Sequence, residues 1–160
     1  MKAFICLLLT IVLGFGKLQA QMQVGTPIPP FLLAKPGGGT FSNIHLTHGT
    51  PVIVMIFNPD CPGCLQLITD IKAGSDKLSN AQLLLVTEGK NKDMLQAFID
   101  RAAIGNDPLF QNIGADKGRF IPSVYSSGEL PYLMIYDNNH RLIRILSGNI
   151  SLDTLGSYLR

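Results

Sequence analysis

Cysteine is scarce in this 160-residue sequence: there are three, at positions 6, 61 and 64. Histidine is as scarce, and His45, His48 and His140 form no H-x-x-x-H pair. A structural zinc site needs four ligands, often a second cysteine pair or a histidine pair at short spacing, and the sequence offers neither. Runs of lysine and arginine are missing as well, which excludes a basic patch for nucleic acid. No apolar stretch approaches the roughly 20 residues of a membrane-spanning helix. The glycine triplet of Pro36-Gly-Gly-Gly39 lacks the lysine and the following helix of a phosphate loop, so it reads as a turn. A metal cofactor and a nucleic-acid partner are therefore not expected.

The chain opens with Met1-Lys2, an apolar run from Ala3 to Phe15, and Leu18-Gln19-Ala20. A positive n-region, a short h-region and a small residue at the cleavage position make a secretory signal peptide over residues 1–20. An uncleaved anchor is the alternative. Removing Lys2 and Lys17 takes the formal charge from +2 to zero, so the basic balance belongs to the leader. Residues 21–160 have the length of one domain. The expected location is periplasmic or secreted, where disulfides persist. Only Cys61 and Cys64 then remain, too few for a secreted domain stapled for stability.

Those two cysteines carry the chemistry. An apolar run, Pro51 to Phe57, leads into Asn58-Pro-Asp-Cys-Pro-Gly-Cys64, and a helical pattern leads away. With Cys61 as N-cap, Pro62 stands at N1, where its missing N–H is harmless and its fixed φ suits a helix. Gly63 is N2 and Cys64 is N3, so the Cys61 sulfur can accept an orphan N–H at the positive end of the helix. Both effects favour the nucleophilic thiolate. Asp60 opposes them by like charge, but an exposed charge is screened, and the helix terminus is expected to win. A permanently closed structural bridge is the competing reading; such bridges usually close longer loops.

Elsewhere the pattern is that of an α/β domain. Phe31–Leu33 and Thr40–Ser42 flank the glycine turn as a β-hairpin. Pro51–Phe57 and Leu83–Thr87 read as strands buried on both faces. The helix after Cys61 buries Leu65, Ile68 and Ile71, with Leu67 beside them, and fades at Gly74. A second helix over 91–103 carries Met94, Leu95, Phe98, Ile99 and Ala102 as its apolar stripe. Between 104 and 129 the pattern is weak, with a short strand expected at Asp107–Phe110 and a helical turn within Lys117–Tyr125 that is broken at Pro122. Tyr132–Tyr136, a turn at Asp137–His140 and Arg141–Ser147 form a second hairpin, and Ser151 caps a last helix. Helices are expected on both faces of the sheet.

Taken together, Cys61-Pro-Gly-Cys64 after a buried strand, Leu130-Pro131 before Tyr132–Tyr136, the N-terminal hairpin and the ending Gly148 to Leu159 resemble the thioredoxin superfamily. Within it the likeness is to the secreted TlpA-like (ResA-like) thioredoxins, over roughly Val24 to Arg160. The resemblance implies a thioredoxin fold, a central mixed sheet flanked by helices with an N-terminal β-hairpin extension. It also implies disulfide exchange, with Cys61 attacking, Cys64 resolving and Pro131 as a cis proline beside them. Asp60, Pro62, Gly63, Glu129 and Leu130 would border the substrate groove with Pro131. This chain departs from thioredoxins proper at Asp60, where they carry Trp, and at Met55, where they carry a buried acid that assists the resolving thiol. It also has Pro-Gly between the cysteines where thioredoxin itself has Gly-Pro.

The reading is an exported thiol-disulfide oxidoreductase that needs no cofactor beyond its own Cys61–Cys64 pair. Its partners would be protein thiols or disulfides and an upstream redox protein, with a membrane-bound one as a candidate, and the chain would act as a monomer. A peroxiredoxin-like peroxidase would want a threonine where Asn58 stands. A non-enzymatic metal chaperone of this fold would want wider cysteine spacing and a late histidine, and His140 falls in a turn.

Overall fold

The computed structural model describes residues 22–125 and 127–159. The leader expected at residues 1–20, its cleavage point and Cys6 lie outside the described residues. Seven strands form one mixed sheet: β1 (Leu32–Ala34), β2 (Thr40–Ser42), β3 (Val52–Ile56), β4 (Gln82–Thr87), β5 (Ile113–Asp116), β6 (Tyr132–Tyr136) and β7 (Leu142–Ser147). Their order is β2-β1-β5-β4-β3-β6-β7. β3, β4 and β5 run parallel, while the β1–β2 and β6–β7 hairpins join the two edges antiparallel.

The apolar run of β3 lies at the centre because it can bury both faces. Ile53, Met55 and Phe57 point into one core, and Val52, Val54 and Ile56 into the other. All six are essentially inaccessible, and burying each such side chain fully contributes about 1.5–3 kcal/mol. The first core is covered by α1 (Pro62–Ala73), α2 (Lys92–Ala102) and α4 (Leu152–Ser157). The second is covered by the five-residue α3 (Phe120–Val124) and by Ile28, Phe31, Phe41 and Leu46 of the N-terminal region. Helices do lie on both faces, unequally. Among the described residues no helix is long and apolar enough to cross a membrane.

Four sequence expectations are corrected. Asp107–Phe110 is not a strand: Asp107 caps a 3-10 turn over Pro108–Phe110, its carboxylate accepting the Leu109 N–H. The strand of that region is β5. In α2, Leu95, Phe98, Ile99 and Ala102 are buried, but Met94 is exposed. In α1 the buried face is Cys64, Leu67, Ile68 and Ile71, and Leu65 is half-buried. Finally, Pro122 does not break a helical turn. It falls at the third position of α3, within the first turn, where its N–H would have had no helical acceptor.

The chain enters the domain at one end of the sheet. The N–H groups of Gly25 and Ile28 donate to the carbonyls of Leu142 and His140, and that of Leu142 donates to Thr26. This seam lies on the β6–β7 turn, at the end of β6 remote from Pro131.

Candidate active site

The cysteine motif sits where β3 ends. Phe57 continues the strand, its N–H donating to Val86. Asn58 then turns the chain: its side-chain oxygen accepts the Asp60 N–H at 3.0 Å, and its carbonyl accepts the Cys61 N–H at 2.9 Å. Arg101 of α2 donates to the Pro59 carbonyl and ties this turn to the neighbouring helix. The next residues form α1, with Cys61 as N-cap and Pro62 at its first position.

The N–H of Cys64 donates to the Cys61 sulfur at 3.2 Å. Cys61 Sγ therefore sits at the positive end of α1 with a donor aimed at it, an arrangement used by thiolate nucleophiles. Cys61 is half-buried and Cys64 fully buried, and both are free thiols. Cys64 lies in the core with Met55 and Phe57. Burial pushes its thiol well up, and the Cys61 side chain adds to that.

The opposite wall comes from the chain entering β6. The Leu130–Pro131 peptide bond is cis. Cys61 Sγ lies 3.8 Å from the Leu130 carbonyl oxygen. A side chain at Gly63 would meet the Pro131 ring and the Leu130 carbonyl at about 4 Å, which shows how closely the two walls face. A groove of about 660 Å³ opens beside Cys61, and Gly63, Glu129, Leu130 and Pro131 line it. Asp60 and Pro62 do not line it; both are exposed on the motif's outer side.

Sequence reasoning missed Gln66, Asp70, Tyr125, Gly148 and Asn149 in the same groove. For two of them a signal existed. Gly63, Gln66 and Asp70 recur at helical spacing, so the polar face of α1 faces the groove. Gly148 lies across from Glu129: a side chain at 148 would occupy the space taken by the Glu129 carboxylate. The Gly148 N–H donates to the Pro131 carbonyl at 3.0 Å. Among the described residues no group of three or more His, Cys, Asp and Glu is placed to hold a metal ion.

No protein-family model and no curated protein sequence matches the chain. Solved structures do. The thioredoxin domain of a thiol-disulfide oxidoreductase from Bacteroides vulgatus is 15% identical, with a TM-score of 0.66 over 88% of this chain and 100% of that one. A secreted Mycobacterium tuberculosis disulfide oxidoreductase homologous to E. coli DsbE is 15% identical, with a TM-score of 0.64 over 81% and 93%. A thiol:disulfide interchange protein of the thioredoxin family from Chlorobium tepidum is 15% identical, with a TM-score of 0.69 over 86% and 95%. At such identity it is the shape that is shared, and the chain has the thioredoxin fold.

Proposed function

We propose that this chain is an exported thiol-disulfide oxidoreductase of the TlpA-like branch of the thioredoxin superfamily, with residues 1–20 as its leader and 21–160 as its thioredoxin-like domain. The observation that carries the activity is the Cys61–Cys64 pair at the start of α1, with the attacking sulfur half-exposed on a groove and the second sulfur buried one turn behind it. The names of the structural neighbours, which are disulfide oxidoreductases and interchange proteins, support the same reading.

In the reducing direction the Cys61 thiolate attacks one sulfur of a substrate disulfide. That bond breaks, a Cys61–substrate disulfide forms, and the leaving sulfur departs as a thiolate that takes a proton from solvent. Cys64 then gives up its proton and attacks Cys61 Sγ. The Cys61–Cys64 disulfide closes and the second substrate sulfur leaves as a thiol. Two electrons pass from the pair to the substrate, and a dithiol partner must return them. Run backwards, the same steps oxidise a substrate dithiol, and the reduction potential of the pair decides the direction.

Reduction of insulin disulfides by the purified protein, with a dithiol as electron source, tests the activity. The wild type is expected to precipitate the insulin B chain, and Cys61→Ser to abolish the effect. Equal rates for the two proteins would overturn the assignment. N-terminal sequencing of protein from an exported fraction tests the leader: the mature chain should begin near Gln21, and Met1 intact on soluble protein would defeat it.

A further inference from the structure

The groove beside Cys61 carries charge of one sign on both walls. Asp70 projects from α1 and is held there by Gln66, whose side-chain amide donates to it at 2.9 Å. Glu129 stands on the facing wall, and its carboxylate fills the space left open by Gly148. Asp60 adds a third, exposed carboxylate next to Cys61. No lysine, arginine or histidine lines the groove among the described residues. Two cations of the neighbouring helices lie outside the groove lining. Lys72 of α1 donates to the Ala103 carbonyl, and Arg101 of α2 donates to the Pro59 carbonyl. Tyr125 also lines the groove, its hydroxyl donating to the Gly128 carbonyl at 2.7 Å and its ring packed edge-on against Tyr132.

Resting on the proposed redox reading, we infer that the groove selects protein segments whose target disulfide is flanked by lysine or arginine. A disulfide has no charge with which to attract an enzyme, so discrimination falls to the residues beside it. Two carboxylates on opposite walls focus a negative potential on the approach to Cys61. Such focusing speeds the encounter with cations and slows that with anions. An arginine or lysine over the Tyr125 ring adds a cation–π contact. A segment bearing aspartate or glutamate at the same places meets like charge on both walls, with no cation in the groove lining.

The test uses the reduced full-length protein and three probes: bis(2-hydroxyethyl) disulfide as a small neutral disulfide, and two peptides with the same internal disulfide flanked by either lysines or glutamates. At an ionic strength of about 0.01 M the lysine peptide should react faster than the glutamate peptide by about tenfold or more. The ratio should collapse towards one near 1 M salt, where screening acts within about 3 Å. Glu129→Gln and Asp70→Asn should each lower the ratio. Equal rates for the two peptides, or a ratio indifferent to salt and to both substitutions, would overturn the charge selection while reduction of the neutral probe left the redox reading standing. Failure to reduce the neutral probe would overturn the redox reading itself.

Discussion

The backbone N–H of Cys64 is directed at the Cys61 sulfur across 3.2 Å, so the two cysteines are unequal before any substrate arrives. One sulfur receives the donor and is half-exposed on the groove. The other belongs to the residue that supplies the donor, and it is packed in the core.

That inequality should appear in alkylation. With single-cysteine variants at neutral pH, Cys61 is expected to react with iodoacetamide faster than Cys64 by about tenfold or more. Cys64→Ser should trap mixed disulfides with substrates, and Cys61→Ser should trap none. Faster reaction at Cys64 would reverse the assigned roles.

Stability of the reduced protein should fall in alkali. Burial raises the Cys64 thiol above its ordinary range, so the folded chain keeps a proton that the unfolded chain releases above roughly pH 8.5. The contribution is fully present below that pH and is lost as pH rises towards the folded value. Tyr132 and Tyr136 are raised by burial too, so the comparison is with Cys64→Ala. Between about pH 7.5 and about pH 9.5, urea unfolding of the reduced wild type should lose about 1–1.5 kcal/mol more than the variant. Parallel losses would show that Cys64 titrates normally.

Asp116 is a buried acid with a structural task. Its two carboxylate oxygens accept the N–H groups of Phe120 and Ile121 at 3.2 and 3.0 Å, capping α3 from the end of β5. Asp116→Ala strands both donors and should cost about 1–3 kcal/mol in urea unfolding, with Asp116→Asn costing less. A neutral Asp116→Ala would mean that α3 is held by its apolar face alone.

Two glycines should respond in opposite ways. A methyl group at Gly114 would lie 2.8 Å from Leu33 Cβ and 2.9 Å from the Ala34 carbonyl, where β1 of the hairpin pairs with β5. Gly114→Ala should therefore destabilise by about 1–3 kcal/mol. Gly37 has nothing within 4 Å, so Gly37→Ala should stay within about 0.5 kcal/mol. Thermal or urea midpoints of the pair decide whether the hairpin is packed that tightly.

Gly114 also explains why part of the fold was illegible in the sequence. Ile113-Gly-Ala-Asp116 is a strand by position, yet it contains residues depleted in strands, because β1 packs closely against it and a carboxylate caps the next helix. Those demands come from tertiary neighbours and leave no local period. β3, β4 and β6 were legible because burial on both faces demands uninterrupted apolar residues. The motif from Asn58 to Cys64 was legible because capping rules act over four residues. The groove was half legible. Leu130 and Pro131 could be placed by resemblance and Asp70 by its helical spacing from Gly63, whereas Tyr125 and Asn149 join them only when separate segments converge. Met94 shows the opposite error: its spacing brings it to the edge of the stripe, and it is exposed while Leu95 beside it is fully buried.

The seam between Gly25–Ile28 and the β6–β7 turn gives the domain a direction. β6 starts at the groove and ends at that turn, so Gly25–Ile28 lies at the end of β6 remote from Cys61. An engineered linker joined to the domain at this segment would meet it on the side away from the groove. Held to a surface by such a linker, the domain would turn its groove away from that surface.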